Sequence, residues 1–285
     1  MEDLAALARL VEALRPWLGQ LVLAGGWAHR LHRFHPLASA PGYLPLRTRD
    51  ADIAFSPDLP LAGDVGAALE AAGFTEELLG DQVPPVTHYR LGDEDGGFYA
   101  EFLVPLHGGE LKRNGARNAT LAMAGITAQK LRYLDLLLSS PWTVTLGPEL
   151  GVPLERPADV LVPNAVSFLV QKLLIHGQRN GRKKAHDVLY VHDTLELFGN
   201  SLDELRAVWQ SQVRPTMNAR VAGRAVRTGR TLFQEVSDTI REAALIPQDR
   251  RPRPENIRGL CHQALEAIFG QDNQRSARPA SSTTR

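Results

Sequence analysis

The stretch Arg49-Asp50-Ala51-Asp52-Ile53 places two aspartates one residue apart at the start of an apolar segment. The pattern predicts a strand over 51–55. Because side chains alternate along a strand, we expect Asp50 and Asp52 on one face and the apolar residues on the other. Two carboxylates on one face repel each other, and a divalent cation with oxygen ligands would relieve that repulsion. Solvated acids at an exposed strand end are the alternative.

A glycine pair lies upstream of this strand, between an apolar run and a helical pattern. The run Leu21-Val22-Leu23-Ala24 predicts a short buried strand and residues 27–32 predict a helix, so Gly25 and Gly26 form the turn between them. Glycine lets a backbone approach a phosphate group closely, and a helix N-terminus offers free N–H groups to an anion. A turn that merely joins the strand to the helix is the alternative.

A third acid, Glu101, interrupts an otherwise apolar strand predicted over 98–104. This strand is expected to form a hairpin with the strand predicted over 86–91. A lone acid among apolar residues is costly unless it is paired or bound to a metal ion. If its strand lies beside the strand of Asp50 and Asp52, Glu101 would complete a cluster of three carboxylates that can hold two metal ions for phosphoryl transfer. An ion pair with Arg90 across the hairpin is the alternative.

Lysine is scarce in this chain, and three of its five lysines fall between positions 172 and 184. A predicted helix in this region places Lys172, His176 and Arg179 on one face, at i, i+4 and i+7. Such cations neutralise a triphosphate, and Asp187 is expected to pair with Lys183. The basic residues expected near the phosphates are Lys172, Arg179, Lys183 and Lys184. A solvated basic helix face is the alternative.

In this order the motifs resemble those of the nucleotidyltransferase (polymerase-β-like) superfamily over about residues 20–200, and in particular the bacterial group that includes AbiEii-type toxins. The resemblance implies that Asp50, Asp52 and Glu101 bind Mg²⁺, as one ion or two. It also implies that Gly25 and Gly26 contact the nucleotide phosphates. The residues it assigns to catalysis are Asp50, Asp52, Glu101 and Lys172. The further residues it assigns to the nucleotide site are Lys172, Arg179, Lys183, Lys184 and Asp187.

The same resemblance implies an enzyme that transfers a nucleoside monophosphate from an NTP, such as ATP, to an acceptor. The acceptor classes that it leaves open are RNA including tRNA, a protein, and a small molecule. A toxin-like member would have an antitoxin as its partner. A non-catalytic module that keeps the fold and binds a nucleotide or a partner is the alternative function.

Charge and composition exclude several classes of protein. The chain has 285 residues, with 32 Lys+Arg balanced by 32 Asp+Glu, so bulk positive charge does not drive binding to nucleic acid. Its single cysteine, Cys261, excludes an internal disulfide framework and a Cys-rich zinc site. The sequence has no signal-peptide pattern and no apolar run long enough to span a membrane, so we expect a cytoplasmic protein with no membrane partner.

Strand patterns fill the first half of the chain and helical patterns fill the second, which predicts an α+β fold. We expect a nucleotidyltransferase-like mixed sheet with flanking helices over 1–162, a helical domain over 163–270 and a disordered tail over 271–285. The predicted helices cover 3–18, 27–32, 62–73, 127–138, 164–174, 184–198, 202–211, 216–243 and 254–269. Further short strands are predicted over 118–124 and 142–146.

Overall fold

The computed structural model describes residues 2–81, 83–93, 97–109, 111 and 118–270. These residues form one mixed sheet with helices packed on it, followed by a helical second half, and the predicted α+β class is confirmed. The predicted disordered tail over 271–285 lies outside the described residues. In the part of the chain that the structure describes, every helix is too short or too polar to cross a lipid bilayer.

The strands of the sheet are β1 (Val22–Leu23), β2 (Asp50–Ala54), β3 (Thr75–Leu79), β4 (Val86–Leu91), β5 (Phe98–Pro105), β6 (Thr120–Met123), β7 (Ile126–Leu131), β8 (Trp142–Leu146) and β9 (Ala158–Val162). Strand β2 lies in the middle of the sheet, whose order is β3-β4-β5-β2-β1-β9-β8. It runs parallel to β5 and antiparallel to β1, while β7 joins the far end of β5 and pairs with β6.

Helices flank the sheet and make up the second half of the chain. They are α1 (Glu2–Ala13), α2 (Gly25–Leu31), α3 (Val65–Ala71), α4 (Asp135–Leu138), α5 (Ala165–Ile175), α6 (Arg182–Leu197), α7 (Leu202–Val208), α8 (Ala219–Leu232), α9 (Asp238–Ala244) and α10 (Pro254–Phe269). All residues of α5 are buried, and the helix is capped by Asn164, whose side chain accepts a hydrogen bond from the Ser167 N–H at 2.8 Å.

Two large apolar clusters stabilise the fold. The first joins the sheet to α1, α2 and α3, and includes the fully buried Trp27 and Phe102. The second cluster is formed by helices α5 to α10 and contains Cys261, which is buried among apolar residues as predicted. Leu46 and Leu136, from the first half of the chain, also pack in this second cluster. The division into domains at residue 162 stays a prediction.

The predicted helix over 127–138 is wrong. Residues Ile126–Leu131 form β7, which pairs parallel with β5 and antiparallel with β6, and only Asp135–Leu138 are helical. The N–H of Thr127 donates to the Thr87 hydroxyl at 2.9 Å, so this threonine belongs to the sheet and caps no helix. Sheet pairing overrides the helical spacing of the leucines that follow, because propensity yields to tertiary contacts.

The predicted helix over 216–243 is two helices. Helix α8 ends at Leu232, and Ser237 caps α9 by accepting a hydrogen bond from the Ile240 N–H at 3.4 Å. A serine within a helical pattern favours such a break because its hydroxyl satisfies a free N–H group. Strands β3 and β9 are not predicted from the sequence, because their short segments carry polar residues among the apolar ones.

Candidate active site

The two aspartates of β2 lie on its polar face, as the alternation predicts. Ala51 and Ile53 are fully buried in the core below the sheet. On the opposite face Asp50 is exposed and Asp52 is half-buried. Strand β2 is therefore fixed in the core on one face while it presents two carboxylates on the other.

Strand pairing aligns three polar side chains in a row across the sheet. The parallel register of β2 and β5 places Asp52 beside Glu101, and the antiparallel register of β4 and β5 places His88 on the other side of Glu101. His88 Nε2 lies 2.9 Å from Glu101 Oε2. The alternative ion pair between Glu101 and Arg90 is wrong, because Arg90 lies opposite Tyr99 in the register and its guanidinium pairs with a glutamate of β3.

The electrostatics of this row follow from the crowding of its acids. Burial, and then contact with Glu101, raise the pKa of Asp52 well above its usual range. Although its side chain is exposed, partial loss of hydration beside the sheet and then the charge of Glu101 also raise the pKa of Asp50. The hydrogen bond with His88 lowers the pKa of Glu101. In the absence of a cation, Asp52 therefore retains a proton more readily than an ordinary aspartate does.

The glycine pair lies directly against these acids. Gly25 has a φ of +57°, and a Cβ atom added there would lie 1.7 Å from Asp52 Oδ2. At Gly26 an added Cβ would lie 2.8 Å from the Thr48 hydroxyl oxygen. The N–H of Ala24 also donates to the Asp52 carbonyl at 2.7 Å. Glycine is therefore required at position 25 both by the backbone conformation and by the position of the Asp52 carboxylate.

A buried ion pair joins α5 to α6. Lys172 Nζ lies 3.0 Å from Asp187 Oδ1, and the two side chains are 8% and 5% exposed. Arg179 Nε lies 3.3 Å from the other carboxylate oxygen, Oδ2. The predicted pairing of Asp187 with Lys183 is wrong, because Asp187 lies on the buried side of α6 whereas Lys183 is exposed in its first turn.

The predicted helix face of Lys172, His176 and Arg179 is also wrong, because α5 ends at Ile175. Arg179 follows in extended backbone and reaches Asp187 from the loop before α6. The basic residues of this segment are therefore divided between the last turn of α5, the loop after it and the first turn of α6.

Lys172 and Lys183 lower the pKa values of the acids on the sheet. Burial raises the pKa of Asp52, and the charge of Lys172 opposes that rise. The hydrogen bond with His88 lowers the pKa of Glu101, and the charge of Lys183 lowers it further. Lys184, beside Lys183 in the first turn of α6, is partly exposed. The acidic row and the basic ends of α5 and α6 thus lie near each other although they are far apart along the chain.

The chain matches a known sequence family over most of its length. A sequence family described as nucleotidyltransferase matches residues 2–214 of the chain. The chain belongs to this nucleotidyltransferase family. The matched residues contain the whole sheet together with α5 and α6, and therefore both the acidic row and the buried Lys172–Asp187 pair. The resemblance to nucleotidyltransferases that the order of motifs indicates is confirmed.

Other comparisons add little to the family assignment. The chain is similar to the nucleotidyltransferase toxin MenT4 from Mycobacterium tuberculosis, with 15% identity over 93% of this chain and 92% of that chain. The TM-score is 0.33, so this likeness carries no argument about the function of the chain. A comparison with curated proteins gave no match.

Two further residues lie at the candidate site that local sequence does not predict there. His88 lies beside Glu101 because of the register of the predicted hairpin, and local sequence does not determine that register. Tyr190 lies three residues after Asp187 on α6, and Lys172 Nζ lies 4.9 Å from the centre of its ring. Burial, and then the charges of Asp52 and Asp187, raise the pKa of Tyr190, so its hydroxyl stays protonated at neutral pH.

The donor set on the sheet fits a divalent cation. Asp50, Asp52 and Glu101 offer the hard oxygen ligands that Mg²⁺ takes, and the contact between Asp52 and Glu101 is one that positive charge would stabilise. These carboxylates do not form a compact triad in which every ligand atom lies within 4.8 Å of the others.

A compact triad within the described residues is His192, Asp193 and Glu196 on α6, with ligand atoms within 4.8 Å of one another. Its oxygens already have partners, because Arg250 pairs with Asp193 and the Tyr43 hydroxyl donates to Glu196 at 2.5 Å. This group therefore joins the segment before β2 to the helical half through ion pairs and hydrogen bonds.

Proposed function

We propose that this chain transfers a nucleoside monophosphate from an NTP to the hydroxyl group of an acceptor and releases pyrophosphate. The observation that carries the proposal is the side-by-side placement of Asp52 and Glu101 on parallel strands, near the charges of Lys172 and Lys183. Phosphoryl transfer requires mainly positioning and electrostatic stabilisation, and acids near clustered cations supply both.

In this proposal Asp50, Asp52 and Glu101 would hold Mg²⁺. A bound Mg²⁺ neutralises phosphate charge and orients the NTP, as a single ion or as a pair. Gly25 lies against the Asp52 carboxylate, so the backbone at Gly25 and Gly26 would lie close to phosphates bound beside that acid. Asp52 stays ionised when cationic charge is beside it, which offsets the rise of its pKa in the free protein.

The basic residues act on the triphosphate. Lys172, held in place by Asp187, and Lys183 balance the charge that develops on the leaving pyrophosphate. The acceptor oxygen forms a bond to the α-phosphorus while the bond from that phosphorus to the β-phosphate oxygen breaks. Glu101 accepts the proton of the acceptor hydroxyl. The further basic residues of the nucleotide site are Arg179 and Lys184.

The acceptor and the partner stay predictions. The acceptor classes are RNA including tRNA, a protein, or a small molecule, and ATP is one candidate donor. A toxin-like role would require an antitoxin that binds this chain. These alternatives share the same chemistry at the α-phosphorus and differ only in the hydroxyl that attacks it.

The test uses four NTPs, each labelled at the α-phosphate, with Mg²⁺ and separate pools of cellular RNA, protein and metabolites. We expect label to enter one pool and pyrophosphate to be released, whereas label at the γ-phosphate enters none. The double variant Asp50→Ala, Asp52→Ala should abolish transfer, and the exposed Asp58→Asn should leave it unchanged.

Three outcomes distinguish the alternatives. Transfer that survives the double variant would exclude the proposed site. NTP binding without transfer into any pool would favour the non-catalytic binding module. Transfer that depends on Asp50 and Asp52 identifies the acceptor class by the pool that carries the label.

A further inference from the structure

His88 is a polar group at the acidic row that the proposed reaction does not use. It lies on β4 directly opposite Glu101, and its Nε2 atom is 2.9 Å from Glu101 Oε2. The two side chains are 23% and 24% exposed, so solvent reaches this contact only in part. On its other side Glu101 lies opposite Asp52. Glu101 is thus placed between a hydrogen-bond donor and a second carboxylate.

We propose that His88 is a positioning residue, which holds the Glu101 carboxylate beside Asp52 so that the two acids bind a divalent cation together. The proposal rests on the proposed function, because it assigns to Glu101 the role of metal ligand. It deepens that function by naming a residue that controls the metal affinity of the site without contacting the metal, the nucleotide or the acceptor.

The backbone on both sides of His88 is fixed. Thr87 and Tyr89, its neighbours on β4, are 3% and 1% exposed and point into the core. The Thr87 hydroxyl accepts the N–H of Thr127 at 2.9 Å, which joins β4 to β7. The backbone that carries His88 is therefore held in place on both sides, which limits the positions that its ring can take beside Glu101.

The hydrogen bond opposes a repulsion. Two carboxylates side by side on adjacent strands repel each other, and a glutamate side chain is long enough to rotate away. A hydrogen bond from His88 to one oxygen fixes Glu101 and leaves the other oxygen for a cation. Residues that orient a metal ligand in this way typically change metal affinity by about 10–100-fold when they are removed.

The matched variants differ in whether they keep a donor at this position. His88→Gln offers a side-chain N–H group with a similar reach, whereas His88→Asn is one methylene shorter and His88→Leu has no donor. Arg90→Gln serves as the control, because Arg90 lies on the same strand opposite Tyr99 and pairs with Glu77. Far-ultraviolet circular dichroism and thermal unfolding establish that each variant is folded.

The decisive measurement is the binding of Mn²⁺ to the full chain without nucleotide. The electron paramagnetic resonance signal of the free ion gives the amount that is not bound. We expect His88→Leu and His88→Asn to weaken binding by about 10–100-fold. His88→Gln and Arg90→Gln should stay within about threefold of the wild type. In transfer assays the metal concentration for half-maximal rate should rise for His88→Leu, while the KM for the NTP at saturating metal stays unchanged.

The outcomes separate this proposal from the proposed function. Equal Mn²⁺ affinity in the wild type, His88→Leu and His88→Asn would overturn the role of His88 and leave the nucleotidyl transfer in place. Weaker binding in His88→Gln equal to that in His88→Leu would also overturn it, because the donor would then not be the cause. A wild-type chain that neither binds Mn²⁺ nor transfers label would refute both.

Discussion

Lys172 Nζ lies 3.0 Å from Asp187 Oδ1 in the interior between α5 and α6, where both side chains are more than nine-tenths buried. Arg179 adds an ion-pair contact to the second oxygen of the same carboxylate. Buried charges are tolerated only as partners, because each would otherwise lose its hydration without compensation. The pair therefore links the stability of the helical half to the position of a lysine that acts on Asp52.

Asp187→Asn is expected to destabilise the protein by about 3–5 kcal/mol, because Lys172 is left buried without its main counter-charge. Equilibrium unfolding in urea measures the change. The double variant Lys172→Met, Asp187→Leu should recover most of the loss, because two apolar side chains of similar volume then replace the two charged ones. The same double variant should remain inactive, which separates stability from function.

Glu266→Gln is the control for this prediction. Glu266 forms an ion pair with Arg230 on the surface, where the two side chains are 39% and 55% exposed. Solvent screens such pairs, so we expect a change of less than about 1 kcal/mol. An Asp187→Asn variant as stable as Glu266→Gln would contradict a buried, energetically coupled pair.

Asp52→Asn is expected to stabilise the metal-free protein at neutral pH. Burial, and then contact with Glu101, raise the pKa of Asp52 in the folded state. The folded state thus binds a proton that the unfolded chain has released, so stability falls as the pH rises from the usual aspartate range through the raised pKa. Asparagine removes this penalty. Thermal unfolding in EDTA at pH 7.5 measures the gain.

Addition of Mg²⁺ should make the wild type more stable than Asp52→Asn, which reverses their order in EDTA. A ligand at 100 times its Kd stabilises the folded state by about 2.7 kcal/mol, and only the wild type keeps the full set of carboxylates. The exposed Asp58→Asn should respond to Mg²⁺ as the wild type does. Equal stabilisation of wild type and Asp52→Asn by Mg²⁺ would argue against a metal site at Asp52.

Gly25→Ala is expected to cost about 1–3 kcal/mol in stability and to abolish transfer, since an alanine at φ +57° is strained and its methyl group would displace the Asp52 carboxylate. Gly259→Ala is the control, because that glycine lies in the interior of α10 and the position of an added Cβ is open. Its replacement should raise stability by about 0.5–1 kcal/mol. Urea unfolding and the transfer assay together measure both effects.

Local sequence was sufficient for those parts of the site that depend on one strand. The alternation at Asp50 and Asp52 follows from the period of a strand, and the hairpin of β4 and β5 follows from two apolar runs around a turn. The partners of the acids depend on register and on helix packing, which bring together residues distant in the chain. For that reason the partner of Glu101 is His88 and not the predicted Arg90, and the partner of Asp187 is Lys172 and not the predicted Lys183.

The buried histidines of α2 and the turn after it predict a loss of stability in mild acid. Burial lowers the pKa of His29 to about 3 and that of His32 to about 4. Below about pH 6.5 the unfolded chain binds protons at these residues and the folded state does not, so stability falls as the pH falls towards the lowered values. Each histidine should cost about 2 kcal/mol between pH 7.5 and pH 5.

His29→Phe is expected to remove one of these two contributions, because the His29 ring packs against Phe168 and Tyr190 and neither ring nitrogen has a hydrogen-bond partner among the described residues. Urea unfolding at pH 5 and pH 7.5 should show a difference about 2 kcal/mol smaller than in the wild type. His107→Gln, at an exposed histidine, should leave the difference unchanged. If His29→Phe showed the full wild-type loss at pH 5, His29 would already be protonated in the folded protein, and its burial would not be the source of the acid sensitivity.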